Sequence, residues 1–358
     1  MRIRHLLVSL AALLFIISLN SDWCLATDQA KLLGSAEKAI KKSMSQLGVE
    51  KAAKGCLLLT NAYYGQIKGK SAEAYRDLLS RVTGCTTGKR SLLDVHTPYN
   101  ESLWFSLFRK DSKKLIFTKW KDGAFQSQQI DPSPEKILHE TAWKQASEGL
   151  IGKKCLFQVV SISLAWAEGA AWPIVKAAGF HDHLCPGVNI GYLAHKYLEN
   201  KFPLAGSEKY VFFGALPKCY MDTLQVIYNT TLGKQLAYGV TMSKEQLAKY
   251  KIKGAVPSII AIKVNKAKNT CQGIILGFSW KRIMDDLGIQ MADFAPKGGP
   301  ANPVFFLTRV KACWKMAQMK QEDKMKWLVE MRRFSGDASI ASKICNAGGD
   351  PYSVVWAK

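Results

Sequence analysis

The stretch that most constrains this chain is a bend. His181, His183 and Cys185 alternate, so on an extended backbone all three side chains leave the same face. Pro186 disfavours helical dihedrals at Cys185 and is itself suited to the first position of a helix. The extended segment must therefore give way to a helix near Gly187, with Cys185 at its amino end. Unpaired N–H groups and the helix dipole gather there and favour a thiolate. Two imidazoles and a thiolate form a soft-to-borderline donor set, which suits zinc best and copper, nickel or iron less well. Three donors leave a position open. Cys219 follows the apolar run Tyr210 to Leu216 and precedes Asp222 by three residues, so it is the first choice to fill that position. Asp222 competes, either as a ligand or as the acceptor of a histidine N–H. A disulfide is the other fate open to Cys219, and a buried hydrogen-bonding role is the plain alternative for His183. His195 reads as a surface residue.

Arg2 and Arg4 precede an apolar run from Leu6 to Leu19 that is broken only by Ser9 and Ser18, and Cys24-Leu25-Ala26 closes the segment. This is the charged start, greasy centre and small-residue end of a secretory leader. Residues 1–26 therefore read as a signal peptide, and the mature protein as periplasmic or secreted, without a stable membrane anchor. The net charge of +22 is spread along the chain and attracts anions of many kinds. No Lys/Arg-rich helix with interleaved aromatics supports nucleic-acid binding, and export argues against it. Eight cysteines follow the leader, and in an oxidising compartment most would ordinarily pair as disulfides. If Cys185 and Cys219 are ligands, an even six remain.

The hydrophobic patterning predicts an α+β fold, a mixed sheet with flanking helices. Helical periodicity runs from Asp28 to Leu47, and Ser71 is placed to cap a helix that reaches Val82 and stops at Gly84. Lys114–Trp120 and Gly123–Ile130 read as a hairpin around Lys121-Asp122-Gly123. A helix is expected from Pro134 to Ser147, and Gly149–Lys154 reads as the junction between two halves, 27–150 and 151–358. In the second half, helices are expected at Trp172–Ala178, Val188–Phe202, Asp222–Tyr228 and after Ser243. Strands are expected at Tyr210–Leu216, Gln235–Val240, Ser258–Val264 and Gly273–Phe278. Asp323–Phe334 reads as a basic amphipathic helix.

Residues 77–89 align without gaps on 222–234, and Asp, Leu, Thr, Gly and Lys coincide. Each copy is read as placing an acid at a helix start, where the dipole favours it, and a Gly-Lys turn just past the helix end. We read this as a duplicated helix-turn unit and hence two related halves. Only the second copy has a His-x-His-x-Cys upstream.

Phe180-His-Asp-His-Leu-Cys-Pro-Gly187 with Gly191-Tyr192, Cys219-x-x-Asp222 and Thr231-Leu-Gly-Lys234 resembles the FmdE-like family of formylmethanofuran dehydrogenase proteins, whose members carry HGHxCPG, Cys-x-x-Asp and GCTxGK. The likeness is good from Ala178 to Tyr238 and weak elsewhere. It implies an α+β domain with one bound divalent transition metal, most often taken as zinc. By that match His181, His183, Cys185 and Cys219 are metal-site residues, with Asp222, Thr231 and Lys234 lining the site. The chain departs from the pattern at Asp182, which replaces a glycine, and at Asn229-Thr230, which replaces Gly-Cys; no four-cysteine zinc ribbon follows. The lost cysteine has a counterpart in the first copy, Cys85, so the halves are open to complementing each other. The family's name comes from a cytoplasmic complex, so the resemblance transfers the site and not the pathway.

Two functions of different class follow. The first is an exported metal-binding protein, acting as carrier, sensor or cofactor-handling module. The second is a periplasmic metalloenzyme whose ion activates water on a small anionic substrate, with Asp182 or Asp222 as proton acceptor and Lys234 orienting the anion. The partners foreseen are a metal ion and a small anionic ligand, and a homodimer is compatible with either. In a Sec-competent host, intact-mass analysis of exported protein is expected to show a chain beginning near Thr27. A chain that keeps Met1 to Ala26 would overturn the leader.

Overall fold

Cys56–Thr60 is buried along its whole length. Leu57 and Leu59 enter one apolar cluster and Leu58 another, as the two-residue repeat of a strand requires when both faces of its sheet are covered. The computed structural model describes residues 28–356 and builds a five-stranded sheet around this strand. The order is Leu92–Asp94, Cys56–Thr60, Trp104–Arg109, Lys114–Lys121, Ala124–Ile130; the first pair is parallel and the rest antiparallel. A helix over residues 28–47 and the helix Glu73–Thr83 cover one face. Helix Gly152–Ala167 covers the other.

The second sheet repeats this plan. Its order is Ala237–Val240, Lys209–Ala215, Val256–Asn265, Thr270–Phe278, Leu328–Gly336, again with a parallel first pair and antiparallel neighbours after it. Helices Pro186–Lys201 and Cys219–Tyr228 cover one face. Ile340–Cys345, with Tyr352 and Val355, covers the other. Between the two sheets lie Gly152–Ala167, Trp172–Phe180 and Val304–Gln318, so the protein is α+β with two mixed sheets flanked by helices.

The sequence repeat is also a repeat of backbone detail. Glu73–Thr83 ends on Gly84 at φ 71°, and Cys219–Tyr228 ends on the aligned Asn229 at φ 55°, both left-handed. Lys89 Nζ donates to the Gly84 carbonyl at 3.4 Å, and Lys234 Nζ to the Asn229 carbonyl at 3.2 Å. The aligned Arg90 and Gln235 both sit at φ 56°. Ser91 N–H then bonds Thr86 O at 3.1 Å and Leu236 N–H bonds Thr231 O at 3.2 Å, after which each edge strand begins. The two lysines thus close matching helix ends by satisfying a carbonyl that the helix leaves unpaired.

Several sequence expectations change. Residues 323–334 are not one helix: Gln321–Met325 is a short helix, and Leu328–Gly336 is an edge strand paired with Thr270–Phe278. The segment from Pro134 to Ser147 is two helices, Pro134–Ile137 and Glu140–Ser147. Ser71 is one residue too early to be the cap, which is Ala72, although the Ser71 hydroxyl accepts from Glu73 N–H at 3.3 Å. The expected hairpin is present, with Asp122 at φ 51° and Gly123 at φ 80°, the pair of positive angles that a type I′ turn needs. Cys56, Cys85, Cys155, Cys185, Cys219, Cys313 and Cys345 are thiols rather than the expected disulfides, and of these only Cys345 is exposed. The leader expected over residues 1–26 lies outside the described residues. Among the described residues no helix is long and apolar enough to cross a membrane.

A Cβ on Gly84 would sit 2.7 Å from Ala52 N, at a dihedral that L-residues resist. Gly84→Ala is therefore expected to cost about 1–3 kcal/mol in chemical denaturation. Asn229→Gly is expected to stay within about 0.5 kcal/mol of wild type, since glycine suits the same angle.

Candidate metal centre

Two helix amino ends meet at the motif. Cys185 is the N-cap residue of Pro186–Lys201, extended at φ −132° and ψ 167°, and Pro186 occupies the first helical position. Cys219 is the first residue of Cys219–Tyr228. The helices approach closely because glycines face the crossing. A Cβ on Gly187 would lie 2.9 Å from Cys219 Cβ, and one on Gly191 would lie 2.7 Å from the Tyr220 carbonyl oxygen. Thr223 Oγ1 donates to Val188 O at 3.0 Å and fixes the register of the crossing.

His181 Nδ1–H donates to Asp222 Oδ2 at 2.6 Å, which leaves Nε2 as the acceptor atom. Nε2 is buried and has no hydrogen-bond partner. One donor atom each from His181, Cys185 and Cys219 lie within 4.8 Å of one another. His183 is not one of those three; its ring centroid is 4.5 Å from that of His181, it rests on Phe157 at 4.5 Å, and its Nδ1–H donates to Asp182. Both imidazoles therefore have a carboxylate on Nδ1. Asp182 stands at φ 73°, where the related pattern has glycine. Aspartate is one of the few side chains that tolerate this region, and it adds the carboxylate that holds His183. Leu184 N–H is fixed by Ser161 Oγ at 3.1 Å, from the helix Gly152–Ala167.

The two sulfurs polarise each other. The hydrogen bond from Cys185, with the nearby His181 ring adding to it electrostatically, holds the Cys219 thiol below the usual range against the opposing effect of burial. Its bond to Cys219 and its own burial push Cys185 well above that range. Burial disfavours the imidazolium of His181, but Asp222 and Cys219 outweigh it and the pKa rises. The protein thus carries an imidazole, a thiolate-prone sulfur and a second thiol in one group, of which Cys185 is buried and His181 and Cys219 are partly buried. A nitrogen and two sulfurs, one acceptor without any protein partner, fit a borderline divalent ion such as zinc.

A cleft of about 610 Å³ opens beside the group, and His181, Pro217, Cys219, Met221, Asp222 and Tyr238 contribute to its wall. From the Gly-Lys turn it is Leu232 that lines this cleft; Thr231 spends its carbonyl on Lys234 N–H and Leu236 N–H. The Lys234 ammonium is held by Asn229, at 3.2 Å from its carbonyl oxygen and 2.5 Å from Oδ1. Cys85 is buried among Ile40, Leu79 and Leu92 in the core of the first half and is not one of the clustered groups, so the halves do not pool their cysteines. The first half has Ala74 where the alignment puts Cys219. His195 is half-buried rather than superficial, with Nδ1 3.0 Å from Tyr228 Oη. Sequence reasoning missed Ser161, Phe157 and Asn189, whose amide donates to Cys185 O at 3.3 Å. No spacing rule links them to the motif, because they reach it only through tertiary packing.

Residues 180–272 match the family model described as FmdE, Molybdenum formylmethanofuran dehydrogenase operon. The chain thus carries an FmdE-like domain there, which spans the motif, the Cys219 helix and the Gly-Lys turn. No curated protein matches the chain.

Gly191→Ala is expected to lower stability by about 1–3 kcal/mol through overpacking at the helix crossing. Gly233→Ala, where a Cβ meets nothing within 4 Å, is the matched control and is expected to stay near wild type in the same denaturation assay.

Proposed function

We propose that the FmdE-like domain binds one divalent transition metal, zinc first among candidates, and that the protein does so outside the cytoplasm. The observation that carries this reading is the buried, unpartnered Nε2 of His181 beside two cysteine sulfurs, with Asp222 fixing the opposite ring nitrogen. His181, Cys185 and Cys219 would hold the ion directly. His183 is the candidate fourth ligand, since Asp182 leaves its Nε2 as the acceptor atom. The charged and apolar segment from Met1 to Ala26 supports a periplasmic or secreted location.

A second reading, a metalloenzyme, is favoured by the cleft. When bound, the ion would supply Lewis acidity and lower the pKa of a coordinated water. Around it, Asp222 orients His181 and borders the cleft, while Pro217, Met221 and Tyr238 keep that wall apolar. With His183 as fourth ligand the sphere is closed and the protein is a carrier or sensor. Without it, a position stays open toward a small ligand.

Metal analysis of the purified protein is expected to find one equivalent of metal. His181→Ala, Cys185→Ser and Cys219→Ser are each expected to abolish it. Asp222→Asn should retain the metal but weaken it about 10–100-fold in chelator competition. Chelation should free two thiols to a reagent in the native state, and unchanged thiol counts and metal content across these variants would overturn the site. X-ray absorption decides between the two functions: four protein ligands and no water exclude the enzyme.

A further inference from the structure

Helix Val304–Gln318 lies beyond the residues that match the family, yet one of its faces reaches the His/Cys group. Cys313 on that face is fully buried, and its sulfur lies 3.6 Å from Asn189 Nδ2, the same amide that donates to the Cys185 carbonyl. One turn earlier stands Arg309. Its guanidinium lies over Phe305, 3.4 Å from the ring centroid, and 4.8 Å from that of Phe294, and Nη1 donates to Phe305 O at 2.8 Å. Among the described residues no carboxylate pairs with it, although Arg76, Arg109 and Arg333 each hold one within 2.9 Å. A half-buried cation without a counter-ion is costly unless negative charge sits close to it. Burial depresses the guanidinium, and the acidic groups near enough to oppose this are the thiols of Cys185, Cys219 and Cys313, of which Cys219 is the one held toward its thiolate.

We infer that Arg309 is a positioning residue for the metal centre, supplying the positive charge that offsets the paired thiolates of Cys185 and Cys219. A divalent ion with two thiolates is neutral, and the Asp222 carboxylate behind His181 makes the group net negative. Arg309 restores the balance without joining the wall of the cleft. Phe305 and Phe294 hold the guanidinium in place by stacking, an interaction that does not consume its charge. This role rests on the metal reading above.

The test is titration of the chelator-stripped full chain with Co(II), followed by the sulfur-to-cobalt charge-transfer absorption. Arg309→Met keeps length and apolar contact but removes the charge; it is expected to weaken Co(II) binding about 10–100-fold, the range seen when outer groups of a metal site are removed. Arg309→Lys is expected to recover most of the loss. A purely structural role would favour methionine over lysine or leave the two alike. Co(II) affinity in Arg309→Met equal to wild type overturns the inference, and so does Arg309→Lys binding as weakly as Arg309→Met. If circular dichroism shows Arg309→Met unfolded, Arg309→Gln against Arg309→Lys makes the same comparison and is judged in the same way. A wild-type chain that shows no sulfur-ligated Co(II) overturns the metal reading itself, and this role with it.

Discussion

The closeness of two helices governs this structure. Pro186–Lys201 and Cys219–Tyr228 touch where Gly187 and Gly191 leave no side chain, and that contact brings the cysteine at each amino end to the same place. Both dipoles then point their positive ends at sulfur. The polarised pair, the aligned imidazole of His181 and the carboxylate of Asp222 all follow from this approach. A bulkier face would separate the sulfurs, and the four residues would be scattered polar groups at the edge of a core.

The same scaffold appears twice and is used differently. Each half pairs an edge strand in parallel with its neighbour through a helix, a left-handed cap and a lysine that closes the cap. The Gly-Lys turn therefore belongs to the architecture, because Lys89 performs it in a half that lacks the His-Cys motif. What distinguishes the second half is the identity of a few side chains on shared backbone positions. Ala74 and Cys219 occupy aligned places, and only one of them carries chemistry.

Local rules make much of this legible. Alternation followed by proline places Cys185 at a helix start, and glycine at aligned turn positions exposes the repeat. Helix Gly152–Ala167 escapes such rules because it is buried on every side from Cys155 to Ala165, so no polar face gives it a period. Val304–Gln318 is hidden for a related reason, with buried residues around much of its circumference. Leu328–Gly336 reads wrongly as helix because its state is set by pairing with Thr270–Phe278, some sixty residues away, and not by its own helix-prone side chains. The cysteines illustrate the same limit: Cys185 is marked by its neighbours in sequence, whereas the surroundings of Cys85 and Cys313 are set by the fold alone.

The apolar cluster around Gly152–Ala167 takes Leu57 and Trp104 from the first sheet together with Cys185, Val188 and Cys313 from around the motif. The two halves share that helix as core, so opening either would expose apolar surface of the other. An occupant of the His/Cys group would therefore be thermodynamically linked to the whole molecule: by mass action it would strengthen strands of the first half that never touch it.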